Sequence, residues 1–347
     1  MSSVEIGRTP EHGDDSGDRS PAVEPYLRGA AWPAGAGASY PRADPADVGR
    51  LPADTWGTAT LPVGVRLELV GDATELDLNY RTATDDMGYR GPGAGTTFSV
   101  WRNGKQVDEQ RAALGEGYAR LQLGQGEGRV IVYLPEGMKP TITGIDCQGG
   151  DIAPAPDQPR WVAYGDSIAE GWIASGPALA WPAIAGRDRA LDVVNLGYAG
   201  SARGEIVSAE HVAALDADVI SITHGTNCWT RIPHSVDMMR ANTEAFLRVV
   251  RDGHPGVPIV LASPVVRPDA EETPNKLGAT LADLRAVMEE VGRRFARDDE
   301  LLVVLPGGDL LDPELLADGV HPGDEGHQVL AKAFGEAVVQ AYELIQH

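Results

Sequence analysis

The hydrophobic rhythm of the chain changes once, near residue 158, and that change limits the fold more than any other feature. Between residues 60 and 147 the apolar residues come in short, often alternating runs. These are RLELV (66–70), ELDLNY (75–80), TTFSVWR (96–102), KQVDEQ (105–110), YARLQL (118–123) and RVIVYLP (129–135). Alternation of period two marks strands with one buried face. Asn103-Gly104 separates two of the runs. Both residues tolerate φ > 0, which makes the pair the strongest hairpin signal in the chain. GPGAG (91–95) and GQGEG (124–128) mark further turns. GPGAG is not a nucleotide fingerprint, because it lacks the strand–loop–helix context. Several short strands without helical patterns imply an antiparallel β-sandwich.

The segment QGGDIAPAPDQP (148–159) is a Pro- and Gly-rich connection. Beyond it, runs that are apolar throughout alternate with helical patterns. The strand-like runs are RWVAY (160–164), LDVVNLG (191–197), DVISIT (218–223), PIVLAS (258–263) and LLVVLP (301–306). Helices are expected over 178–187, 236–253, 281–298 and 325–345, and loops over 201–215 and 264–280. Strands buried on both faces belong to a parallel sheet covered by helices. The expected fold is therefore α/β, a doubly wound parallel sheet carrying an N-terminal antiparallel β-sandwich. The expected boundaries are a disordered tail over 1–25, an accessory sandwich over 26–150 and a catalytic domain over 158–347. The tail is rich in Ser, Pro, Gly and Asp and lacks aromatics.

The 347 residues carry a formal net charge of −22. Such a chain repels phosphate backbones and anionic membrane surfaces, so neither nucleic acid nor membrane is an expected partner. Residues 158–347 hold 28 acids against 15 bases and so carry −13 of this net charge. No apolar run reaches the ~18 residues of a membrane span. The N-terminus has no basic cluster followed by an apolar stretch, and two cysteines are too few for a disulfide framework. These features lead to a cytoplasmic expectation. Only 4 of the 29 basic residues are Lys, and Ala and Gly are abundant, a bias of GC-rich bacterial genomes.

In an open α/β sheet the ligand site lies beyond the carboxyl ends of the strands. Gly165-Asp166-Ser167-Ile168 follows the first expected strand, and Gly197-Tyr198-Ala199-Gly200 ends and follows the second. His224-Gly225-Thr226-Asn227 follows the third, and Asp318-Gly319-Val320-His321 lies near the C-terminus. A serine hydroxyl is a weak nucleophile that needs a base to take its proton, and imidazole titrates near neutrality. A carboxylate fixes the tautomer of that imidazole. Asp318 and His321, three residues apart, can both be presented by one turn. The oxyanion of acyl transfer needs preorganised donors, which the Ser167 and Gly200 amides and the Asn227 side chain can supply. Ser167 and Glu170 also have the spacing of a helix capping box.

In order and each after an expected strand, or near the C-terminus for the last, these segments resemble the four blocks of the SGNH (GDSL-type) hydrolase superfamily. The resemblance covers residues ~158–347. It implies Ser167 as nucleophile, His321 as base, Asp318 as its orienting partner, and an oxyanion hole from Ser167, Gly200 and Asn227. It implies no cofactor and no metal. A metal site from Asp318, His321 and His327 is disfavoured because no further ligand cluster accompanies them. One position departs from the family pattern, with Cys228 where an aspartate is common. The β-rich half is similar in layout to the N-terminal sandwich of some two-domain bacterial members. The expected function is a serine esterase acting on a small-molecule ester through a Ser167 acyl-enzyme. The alternatives are an acyltransferase that passes the acyl group to an alcohol, and a non-catalytic glycan-binding module. Trp172, His224, Trp229 and Arg231 flank the motifs and are candidates for the substrate pocket. Neither the acyl group, the alcohol nor the oligomeric state follows from the sequence.

Overall fold

The computed structural model describes residues 22–85 and 95–346. The expected tail lies outside the described residues as far as residue 21, and the GPGAG turn does so except for Gly95. The N-terminal half holds β1 (Leu27–Arg28), helix α1 (Ala53–Ala59), β2 (Arg66–Gly71), β3 (Glu75–Thr82), β4 (Thr97–Arg102) and β5 (Lys105–Arg111). β6 (Gly115–Gln122), β7 (Val130–Tyr133), β8 (Pro140–Gln148) and β9 (Ile152–Pro154) complete it. One sheet has the order β1-β2-β7-β4-β5, with β9 also on β2. The other has the order β6-β3-β8. Every pairing in both is antiparallel. Leu67, Leu69, Leu76, Leu78, Phe98, Val100, Leu121 and Val132 point inward from the two sheets and form their common core. The turn between β4 and β5 has Asn103 at φ 52 and Gly104 at φ 73, the left-handed pair that its sequence implies.

The second half is a five-stranded parallel sheet of β10 (Arg160–Gly165), β11 (Asp192–Gly197), β12 (Val219–Thr223), β13 (Ile259–Ala262) and β14 (Leu302–Leu305). Their order is β11-β10-β12-β13-β14. Successive connections leave β10 toward β11 and then return past it to β12, so the crevice of this doubly wound sheet opens at the carboxyl end of β10. The helices are α2 (Ser167–Glu170), α3 (Trp181–Arg189), α4 (Ile206–Ala214), α5 (Thr226–Trp229), α6 (Val236–Gly253), α7 (Leu281–Phe295) and α8 (Asp324–Glu343). One face of the sheet packs on α4, α6 and α7 through Val212, Phe246, Leu247, Val287 and Met288. The other packs on α3 and α8 through Trp181, Ile184, Leu330, Phe334 and Val338. Trp181 stacks on Phe334 with ring centroids 4.2 Å apart. Helix α6 buries Met239, Thr243, Phe246, Leu247 and Val250, the stripe a 3.6-residue period predicts, and Ser235 caps it by accepting from the Met238 amide. Thr280 and Asp283 form a reciprocal capping box on α7.

Of the elements that the sequence reading did not name, α4 and β8 are the longest. Residues 206–214, expected within a loop, form α4, a nine-residue helix whose N-cap Glu205 makes no side-chain capping bond. Residues 140–148 form the long strand β8, although the run opens with Pro140 and contains Gly144. Both owe their structure to partners distant in sequence: β8 lies along the whole of β3, and α4 packs on α6.

Residues between β1 and β2 pack partly on the α/β half. Ala43, Leu51 and Ala59 sit in the same core as Val194, Leu196 and Tyr198. Arg66 on β2 ties the halves from the sandwich side. Its guanidinium bonds Glu68 at 2.6 Å, Asp192 at 2.9 Å and the Val193 carbonyl at 3.0 Å, all beside β11. Glu68 and Asp192 hold this guanidinium in its charged form against the cost of burial. Removing one member of a buried ion pair strands the others. Arg66→Met is expected to lower unfolding free energy by about 3–5 kcal/mol, read from urea denaturation. An unchanged midpoint would mean that the strut contributes nothing.

Candidate active site

β10 delivers its terminal residues into a tight turn. A β-carbon on Gly165 would stand 2.5 Å from the Ala169 side chain and 2.8 Å from the Thr223 carbonyl, so only glycine fits. The next residue, Asp166, is the cap of α2 and accepts from the Ile168 amide at 3.0 Å. The Ser167–Glu170 capping box that the spacing suggests is not formed. The Glu170 carboxylate instead accepts from the Ala199 amide at 2.5 Å. With Asp166 as the cap, the Ser167 hydroxyl is free to meet His321 Nε2 at 2.8 Å.

His321 arrives from a turn before α8. Gly319 takes φ 81 there, and the Ala317 amide donates to the His321 carbonyl at 2.8 Å. Asp318 Oδ2 lies 2.7 Å from His321 Nδ1, while Oδ1 accepts the His321 and Val320 amides at 2.7 and 2.9 Å. Partial burial raises the Asp318 pKa, but these hydrogen bonds outweigh it and hold the carboxyl below its usual range. An ionised Asp318 accepts a hydrogen bond from Nδ1–H, which leaves Nε2 as acceptor for the Ser167 hydroxyl. The Trp172 ring lies 5.5 Å from the imidazole, tilted by 31°. Ser167 itself is 6% exposed, so the hydroxyl sits at the floor of the surface rather than on it.

Gly200 belongs to the loop after β11, which is cross-linked to the β10 turn. The Tyr198 amide donates to the Gly165 carbonyl at 2.8 Å, and the next amide, of Ala199, is the one held by Glu170. Gly200 takes φ 68, a left-handed conformation that glycine adopts without a penalty. Asn227, in α5 after β12, is buried and donates to the Ala202 carbonyl at 3.3 Å. An amide nitrogen has two protons, so one remains for another acceptor. The preceding residue, Thr226, faces the Asp166 carboxyl and partly offsets the rise that burial imposes on it. Ser167, Gly200 and Asn227 thus stand on three loops that bond directly to one another.

Arg42, for which the sequence held no signal, underpins this arrangement. Its side chain is fully buried and bonds the Leu61 and Thr58 carbonyls, both at 2.7 Å, and the Gly197 carbonyl. It also faces Glu170 at 3.7 Å. Cys228 is a buried thiol pushed well above its usual pKa by desolvation.

The four flanking candidates divide. Trp172 packs on Leu61 and Val63 beside His321. Trp229 is half-buried, donates to the Thr273 carbonyl at 2.8 Å and carries Arg267 over its ring at 5.0 Å, so it pins the 264–280 loop. Arg231 is exposed against Gly200, 3.3 Å from where a β-carbon would stand. For His224 the expectation needs correction: it is 1% exposed, wedged between Tyr164 and Phe246 at 5.9 and 5.8 Å, and cannot be a wall that substrate touches. The aromatic core of the sheet face claims it. His327 is equally committed, with Nδ1 accepting the Trp181 amide at 3.3 Å and Nε2 donating to the Trp172 carbonyl at 3.1 Å.

Burial pushes His224 down to about 4, although Asn242 faces it across Gly204 without closing a well-aligned hydrogen bond. An unfolded histidine titrates near 6.5, so between pH 6.5 and 4 the unfolded chain holds a proton that the fold excludes. Stability present above that window therefore declines through it as pH falls, by up to about 3 kcal/mol from this residue. Denaturation of the wild type and His224→Gln across the window checks this: the variant should show the shallower acid decline, and parallel profiles would contradict it.

Residues 163–329 match the model of the GDSL-like Lipase/Acylhydrolase family. Among solved structures, the chain is similar to the Salicylyl-Acyltransferase SsfX3 from a tetracycline biosynthetic pathway. The TM-score is 0.77 and the identity 25%, over 91% of this chain and 94% of that one. A GDSL-like lipase from Bacteroides ovatus matches with TM-score 0.72 and 21% identity, over 91% and 95% of the two chains. A family two carbohydrate esterase from Clostridium thermocellum matches with TM-score 0.62 and 16% identity, over 80% and 92%. The last two likenesses establish the fold, which includes the sandwich as well as the α/β half. No curated protein matches the chain in sequence. None of the described helices is long and apolar enough to cross a membrane.

Proposed function

We propose, on the premise that residues 163–329 form a domain of the GDSL-like lipase/acylhydrolase family, that the protein is a serine esterase for a small-molecule carboxylic ester. The observation that carries this reading is the continuous chain from Ser167 Oγ through His321 to Asp318, with links of 2.8 and 2.7 Å. Such a relay is what converts a hydroxyl into a nucleophile.

In the acylation half, His321 Nε2 takes the Ser167 proton as Oγ attacks the ester carbonyl. The imidazolium is stabilised by Asp318, whose depressed pKa keeps it ionised. Negative charge grows on the carbonyl oxygen, and the amides of Ser167 and Gly200 and the second Asn227 N–H are the donors for it. Each such donor is worth about 10²–10³ in rate. His321 then gives the proton to the leaving alkoxide. In the deacylation half, His321 takes a proton from a water that attacks the acyl-enzyme, then returns it to Ser167 Oγ as the acid is released.

An acceptor alcohol can take the place of water in the second half, and the protein would then be an acyltransferase. The observation that favours this second reading is the 25% identity and TM-score of 0.77 to a salicylyl-acyltransferase over nearly the whole of both chains. The two readings share every step up to the acyl-enzyme. Product partition separates them: a transferase yields more transferred ester and less free acid as acceptor alcohol is added.

Ser167→Ala is expected to reduce hydrolysis of 4-nitrophenyl acetate by on the order of 10⁴-fold and to abolish labelling by a fluorophosphonate probe. Asp318→Asn, which alters the tautomer and not the shape, is expected to cost roughly 10²–10⁴-fold. Full activity in Ser167→Ala would remove the nucleophile assignment.

A further inference from the structure

The candidate site is edged by a cation that the mechanism leaves unused. Arg231 is exposed on the segment after α5, and its guanidinium lies flat against Gly200. A β-carbon there would stand 3.3 Å from Cζ, 3.5 Å from Nε and 3.6 Å from Nη1. The segment is tied down on both sides of the arginine. The His234 amide donates to the Cys228 carbonyl at 2.7 Å, and Asn275 holds the His234 carbonyl at 2.9 Å. Arg231 is therefore presented beside Gly200 by an anchored turn.

Three arginines of the neighbouring loops are neutralised. Arg203 pairs with Asp54 and Glu205, Arg267 with Asp269, and Arg285 with Glu271. Arg231 has no carboxylate partner among the described residues. A guanidinium offers a planar fork of donors that matches a carboxylate or phosphate, and an unpaired one beside a reacting carbonyl can orient a substrate that bears such a group.

Building on the Ser167 reading, we infer that Arg231 is a specificity-determining residue that binds an anionic group of the substrate, a carboxylate or a phosphate, carried close to the scissile ester. The group stands next to the Gly200 amide, so its contact with the fork fixes the ester carbonyl toward the oxyanion donors. The favoured substrate is an anionic ester, even though the protein as a whole is strongly acidic. This local cation offsets the repulsion that the rest of the surface exerts on such a molecule.

Steady-state kinetics on matched esters tests this with the full chain. On the acyl side, 4-nitrophenyl acetate is compared with the mono-4-nitrophenyl ester of glutaric acid. On the alcohol side, phenyl acetate is compared with 4-acetoxybenzoate. Arg231→Gln is expected to lower kcat/KM for the carboxylate-bearing member of at least one pair about tenfold more than for its neutral partner, mainly through KM. Arg231→Lys should recover part of that ratio, and added salt should shrink it. The pair that responds tells which side of the ester carries the anion. Equal losses on neutral and anionic esters would instead make Arg231 an electrostatic aid to the oxyanion. Either that result or an unchanged ratio in both pairs overturns the inference. Fluorophosphonate labelling of the wild type keeps the two levels apart. If Ser167 is not labelled, the esterase reading itself fails. If it is labelled and the ratios do not move, only the role of Arg231 falls.

Discussion

A fully buried arginine is the constraint from which the geometry of the site follows. Arg42 gives its protons to three backbone carbonyls, of Thr58, Leu61 and Gly197, and stands opposite the Glu170 carboxylate, itself wholly buried. Taking two such ions out of water costs several kcal/mol each, and their attraction roughly offsets that cost without exceeding it. The pair is therefore poor evidence of extra stability and good evidence of a required arrangement. Two of those carbonyls belong to the segment between β1 and β2 and one ends β11. Glu170 then passes the constraint on, because its carboxylate accepts the amide next to Gly200. A chain of contacts thus runs from residue 42 to the loop that aims a candidate oxyanion donor.

The parallel sheet supplies the rest of the positioning through its strand order. With β10 central and its neighbours β11 and β12 added on opposite sides, three loops emerge at one edge within hydrogen-bonding distance of each other. Gly165 permits the sharp exit from β10, because any side chain there would collide with Thr223 and Ala169. Asp166 takes over the capping of the short helix, so that Ser167 turns its hydroxyl outward to His321. The imidazole comes from far along the chain, on a turn shaped by the left-handed Gly319 and braced by Asp318 through both backbone and ring. A flexible polar group such as a serine hydroxyl is useful only when its partners are this closely held.

The sandwich and the α/β half divide the chain in sequence but not in packing. Ala43, Leu51 and Ala59 complete the core of the parallel sheet, and Arg203 on the site side pairs with Asp54 from α1. Trp172, beside the imidazole, rests on Leu61 and Val63. The N-terminal half therefore reaches the candidate site through the stretch between residues 42 and 66, rather than through the sheets of the sandwich. The sheets themselves are held to β11 by Arg66.

Periodicity made the two architectures legible, because burial of one face or of both leaves a local trace in the order of apolar residues. Ser167, Gly200 and Asn227 were candidates because the ends of parallel strands converge on one edge, and Asp318 and His321 because one turn can present both to a serine. Helix α4 and strand β8 were not legible, since short elements take their structure from partners distant in the chain. His224 had the same sequence context as a pocket residue, yet Tyr164 and Phe246 enclose it. Arg42 looked like any surface arginine in a Pro-rich stretch. Local pattern determines which elements form and which side chains stand at their ends. Only the folded chain decides which polar groups lose their water, because desolvation depends on neighbours more than 100 residues away, as between Arg42 and Gly197.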